Sequence, residues 1–191
     1  MLPYSATPPK LKALEDAGRL VRWRPAGDEE LAICREIWMP PDLAAVVNAD
    51  PWPCLPDEPP ARAAKRRIET LSLMVGFLSG DLMTVGAGQD RVDIKVISPQ
   101  PGHDWRSWEL RATVRQPHTR LFGTFVTEVD FLATEIAAKA ELKTTQMQNA
   151  VASRSFQKST VLVGAIVKTS KARPSNLFLG GMSNNYDRPD L

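Results

Sequence analysis

The sequence predicts an α+β fold in which an antiparallel β meander packs against one long helix, with additional helices towards the N-terminus. Three observations carry this. Apolar and polar residues alternate through Arg91–Ile97, Trp108–Arg115 and Arg120–Val126, the period of half-buried strands. The longest helical pattern is Ala61–Ser79, where Ala61, Ala64, Ile68, Leu71, Val75 and Leu78 step by three and four and Gly80 supplies the stop. Short turn sequences, Gln116-Pro117-His118-Thr119 and Thr127–Val129, join the second strand to the third and the third to a fourth at Asp130–Ile136.

The other elements follow from local signals. Pro8 and Pro9 can open a helix through Lys10–Ala17, with Leu11 and Leu14 inward and Gly18 as its end. Leu20–Arg24 reads as a short strand, whereas Glu30–Trp38 fits a strand or a short helix. Pro40-Pro41 starts a helix over Asp42–Val47. Five prolines between Asp50 and Pro60 leave only an extended connector, which carries Trp52. After Ile136, Ala137–Val151 contains helix formers without a clear apolar stripe, and Thr160–Val167 is a compact apolar run of a buried strand or core segment. From Lys168 the composition turns to Ser, Asn, Gly, Pro and Lys, the signature of a flexible tail. The organisation expected is thus an acidic N-terminal region (1–60), a core (61–167) and a basic, polar tail (168–191).

Length and composition suit one soluble domain with appendages: 191 residues, 43% hydrophobic and 24% charged, are enough for a real core. Net charge is +2, but residues 1–60 carry −4 and residues 136–191 carry +5, so a polyanion is expected to meet the second half. Cys34 and Cys54 make neither a metal-ligand spacing nor a disulfide framework, and Cys34 is expected as a small buried hydrophobe. There is no signal-like opening and no apolar run of the roughly 20 residues a membrane span needs. A cytosolic protein that does not engage the membrane is the expectation.

Function is concentrated on the predicted hairpin. Its turn is expected to place Arg115 opposite Arg120 and Arg111 opposite Thr124. One face holds Trp108, Leu110, Val114, Leu121 and Phe125; the other gathers Arg111, Arg115 and Arg120 beside one carboxylate, Glu109. Like charges facing each other weaken a sheet, so a bound anion such as a phosphate would account for them. Cleavage of RNA without a metal requires a base for the 2′-hydroxyl, an acid for the leaving oxygen and cations for the charge on phosphorus. Glu109 or His118 fits the proton transfers, Arg111, Arg115 and Arg120 the electrostatic clamp, and Phe122 a stacking platform for a base. The plainer alternative is a solubilising face in which Glu109 pairs with its arginine neighbours. Arg62, Lys65, Arg66 and Arg67 on the long helix are likewise a solvated face or a phosphate contact. No glycine-rich phosphate loop, metal-ligand cluster or serine elbow is present, and no cofactor is expected.

Trp108-Glu109-Leu110-Arg111 followed by Thr119-Arg120-Leu121-Phe122-Gly123 resembles the central strands of RelE/HigB-type toxins, including phage-encoded relatives. That family's last strand often leads into a Lys-rich segment and a catalytic aromatic or histidine; here Ala137–Lys143 gives two lysines, Lys139 and Lys143, and no such aromatic. The resemblance covers about residues 61–136. It implies a small α+β fold, a metal-independent and ribosome-dependent mRNA endonuclease, an antitoxin partner, and Arg111 and Arg120 as RNA-contacting or catalytic arginines. The alternative expectation is a non-enzymatic phage or mobile-element protein that binds nucleic acid or a protein partner through the same cations.

Overall fold

The computed structural model describes residues 8–27, 31–86, 93–97, 107–112 and 118–164. In chain order the elements are α1 (Pro9–Asp16), β1 (Val21–Arg22), β2 (Glu36–Met39), α2 (Pro41–Asn48), α3 (Pro60–Ser79), β3 (Val85–Gly86), β4 (Ile94–Ile97), β5 (Ser107–Ala112), β6 (Thr119–Phe125), β7 (Asp130–Ala138) and α4 (Thr145–Val163), with a 3₁₀ turn at Lys139–Glu141. The fold is α+β, built on one mixed sheet in the order β1-β2-β7-β6-β5-β4-β3. Its centre, β4 to β7, is the antiparallel meander expected from the alternation. β2 joins β7 in parallel and brings β1 with it, so residues on both sides of the proline connector share one sheet.

One face of the sheet is covered by α3 and α2. Trp108, Leu110, Leu121 and Phe125 point here, as their alternation requires, and meet Met74, Phe77 and Leu78 of α3. The centre is aromatic: Trp108 stands edge-on to Phe125 at 5.5 Å between ring centroids, and Phe131 lies 5.2 Å from Phe125. The long helix has its predicted bounds to within one residue, and Gly80 closes it with φ +85°, a left-handed C-terminal cap. Arg35 completes that cap, its guanidinium donating to the carbonyls of Phe77, Gly80 and Asp81, where a cation complements the helix dipole.

The inward stripe of α3 differs from the expected one. Ala63, Arg66, Thr70, Met74, Phe77 and Leu78 are buried, whereas Ala61, Ala64 and Ile68 face out. The connector explains the shift. Trp52 is anchored by its indole N–H on the Val46 carbonyl at 2.8 Å and lies against the Arg66 guanidinium, 4.7 Å from its ring centroid. Glu58 takes both Arg66 Nε (3.0 Å) and Nη2 (2.8 Å), and the Pro53 carbonyl takes Nη2 as well (2.8 Å). Arg66 is therefore neither a solvated charge nor a phosphate contact, while Arg62 and Lys65 are exposed.

The opposite face is covered by α1 and by α4, the element the sequence shows least. Thr160–Val163 is the last turn of α4 rather than a strand, and Gly164 follows at φ +62°. The buried residues of α4 are Val151, Ala152, Ser155, Ser159 and Val163. Ser155 and Thr134 share a 2.7 Å hydroxyl contact, and Ser159 donates to the Ser155 carbonyl within the helix. A bulge in β7 helps: Phe122 faces Glu135 while Gly123 faces Ala133, so the intervening Thr134 is extra. Cys34 lies outside β2 and is exposed, not a buried hydrophobe. No helix among the described residues is long and apolar enough to cross a membrane.

Candidate anion site

The register of the hairpin differs from the expected one by four residues. Arg111 faces Arg120, Glu109 faces Phe122 and Ala112 faces Thr119, while Thr124 pairs with Leu132 of β7. This register places Trp108 across from Gly123, the one β6 residue without a side chain. An even shift keeps every residue on its face, so Glu109, Arg111, Arg120 and Phe122 share a face as the alternation requires. On β4, Lys95 is the Cα partner of Glu109 and joins the same row. His118 immediately precedes β6, and its carbonyl accepts from the Lys139 amide at 2.7 Å, which brings Lys139 to the same end of the sheet.

The cluster is thus Lys95, Arg111, Arg120, Lys139 and His118 around a single carboxylate, Glu109, among the described residues. Glu109 is fully buried. Its Oε2 accepts from Gln148 Nε2 of α4 at 2.9 Å, while Oε1 lies 3.3 Å from Arg111 Nε and 3.7 Å from Arg120 Nε, too far or too poorly aligned for a hydrogen bond. Arg120 is 2% exposed, and burial aided by neighbouring Arg111 lowers its guanidinium to about 10. Burial, opposed by Glu109, lowers Lys95 as well. His118 is also pushed down, by burial first and then by Arg120 and Lys139, so it stays neutral at physiological pH. Its Nδ1 and the Thr119 hydroxyl are buried without a hydrogen-bond partner.

The residues singled out from the sequence divide clearly. Glu109, Arg111, His118 and Arg120 come together. Lys139 and Lys143 are exposed beyond the end of β7. Arg115 lies outside the described residues. Phe122 is on the expected face but fully buried against Ile97, Val151 and Ala152, so α4 takes the place a stacked base would need. Glu109, enclosed by two arginines and Gln148, has no path to a substrate proton and holds the arginines in place instead. Two members were missed. Lys95 was legible, since pairing its alternating strand antiparallel with Trp108–Arg115 brings it to Glu109; Gln148 had no signal, because α4 shows no stripe. Among the described residues no group of three or more His, Cys, Asp and Glu side chains is arranged to hold a metal. No family model, curated protein or solved structure matches the chain.

Proposed function

We propose that the protein is a cytosolic RNA-binding protein that holds RNA by its phosphates at the end of β4, β5 and β6, with Lys139 and Lys143 at the rim. The observation that supports this reading is the gathering of cations in the cluster. By comparison, Arg66 is matched by Glu58, Arg22 and Arg24 by Glu36, and Arg35 by the carbonyls at the end of α3. Lys95, Arg111, Arg120 and Lys139 gather closely enough that the other three cations, with Glu109, all act on Lys95. Cations gathered on one face attract an anion, and a phosphate backbone supplies one. Titration of a short single-stranded RNA and of its DNA counterpart at two salt concentrations tests this. Binding that weakens with salt, and weakens further in Lys139→Ala/Lys143→Ala, is the expected outcome; absent or salt-insensitive binding overturns it.

His118 favours a second reading, a metal-independent endoribonuclease of the RelE/HigB kind with ribosomal substrate and antitoxin partner. A neutral imidazole beside two arginines is the proton acceptor this reading needs, with Arg111 and Arg120 stabilising the charge on phosphorus, and its buried Nδ1 would have to open to the 2′-hydroxyl. Glu109 is then a positioning residue. Induced expression should arrest growth with mRNA cleavage, and His118→Ala should relieve both; normal growth with the wild-type chain leaves only the binding reading.

A further inference from the structure

The proline connector walls a cavity that RNA binding does not use. It lies between the connector, α2 and the end of β7 and measures about 180 Å³. Its walls are largely apolar: Val46 from α2, Trp52 and Leu55 from the connector and Ile136 from β7. At the rim stand two exposed residues, Cys54 and Glu141. An apolar cavity of about 150 Å³ takes a benzene ring, so this one has room for a substituted ring.

One buried polar group lines the same cavity. Arg66 is 8% exposed, and its planar guanidinium is a fork of N–H donors. Glu58 takes Nε and Nη2, and the Pro53 carbonyl takes the second N–H of Nη2. The donors left over are those of Nη1, which carry no hydrogen bond among the described residues. At this burial an unmet donor is costly, so an acceptor entering the cavity is favoured. The acceptor has no need of charge. Hydrogen bonding to Arg66 holds the Glu58 carboxyl below the usual carboxylate range, so the two charges already cancel. Glu141, whose carboxylate accepts from the Ala138 amide at 2.8 Å, adds a negative charge at the rim.

We propose that this cavity binds a small uncharged molecule in which an apolar ring carries one carbonyl group. The ring lies against Val46, Leu55 and Ile136, and the carbonyl oxygen accepts from Arg66 Nη1. An anion of the same shape would bring a further negative charge beside Glu58 and Glu141. A cation of the same shape would meet Nη1 with donors and no acceptor. The site draws on none of the cations around Glu109, so it stands whether or not RNA binds there.

Benzamide, benzoate and benzamidine share a shape and differ in charge, which makes them the probes. Cys54 lies on the cavity, whereas Cys34, also exposed, lies against Gly80 at the C-terminal end of α3. Alkylation of the two thiols by iodoacetamide, followed by peptide mass spectrometry, therefore reads the site and an internal control together. A fragment of this size reaches a dissociation constant of about 1 mM, so benzamide at about 10 mM should slow modification of Cys54 roughly tenfold and leave Cys34 unchanged. Benzoate and benzamidine at the same concentration should slow it by less than about twofold. Val46→Phe narrows the cavity from a 39% exposed position and keeps the backbone carbonyl that Trp52 uses, so it should abolish the protection without lowering the melting temperature. Absence of protection by benzamide overturns the proposal, as does equal protection by all three probes or slowing of both thiols alike. Protection that survives Val46→Phe overturns it as well.

Discussion

Glu36 opens β2, touches Arg24 at 2.5 Å and Arg22 at 3.6 Å, and is paired across the parallel ladder with Asp130. Asp130 itself accepts hydrogen bonds from the Trp38 indole N–H and the Thr127 hydroxyl. Burial together with Asp130 pushes the Glu36 carboxyl from 4.5 up to about 7, outweighing the two guanidinium groups. The folded chain then binds a proton that the unfolded chain has released, so this group's contribution to stability is fully present below about pH 4.5 and is lost as pH rises through about 7. The full shift corresponds to roughly 3 kcal/mol. Urea unfolding of wild type across that window should show the decline, and Glu36→Gln should flatten it; an unchanged slope in the variant would move the titration to another group. Residue-scale legibility has the same physical basis. The shared face of Glu109, Arg111 and Arg120 was readable because alternation is a local property of the strand. The burial of Phe122 was not, because the cover comes from α4, more than twenty residues further along the chain.

At the scale of elements, periodicity read the meander well and the helices unevenly. α3 carries two apolar stripes, and the one that meets the sheet includes an arginine and a threonine. Arg66 is made fit for burial by Trp52 and Glu58 of the connector, and Thr70 by donating to the Arg66 carbonyl at 2.9 Å, neither of which hydrophobicity records. α4 buries Ser155 and Ser159 by hydroxyl contacts, so it has an inward face without an apolar stripe. Close approach at the centre of the sheet makes a sharper demand. A Cβ on Gly123 would stand 2.6 Å from the Phe131 ring and closer still to the Leu132 carbonyl oxygen. The oxygen belongs to the paired strand and cannot give way without breaking the ladder. Gly123→Ala should therefore cost at least about 3 kcal/mol in chemical unfolding. A loss below about 1 kcal/mol would mean that β6 and β7 can separate locally, and the bulge at Thr134 is where they would do so.

Across the whole molecule the basic groups fall into committed and uncommitted sets. Arg154 and Lys158 on α4 reach Glu135 at 3.9 and 2.8 Å, and Lys12 pairs with Glu15 and Asp16 along α1. Among the described residues two groups of basic side chains bear on RNA binding: the cluster between β4, β6 and the start of α4, and the exposed Arg62 and Lys65 at the start of α3. They are distinguishable by salt, because each phosphate neutralised releases condensed counterions. For single-stranded RNA the slope of log affinity against log salt is about −0.7 per phosphate contact, so three or four contacts at the cluster give roughly −2 to −3. Lys139→Ala/Lys143→Ala should make that slope shallower by about 1.4. Arg62→Ala/Lys65→Ala should leave it unchanged. All four side chains are exposed, so neither pair of substitutions leaves a hole in the core, and the comparison reads electrostatics rather than folding. A slope that responds only to the α3 pair would place RNA on the helix covering the other face of the sheet.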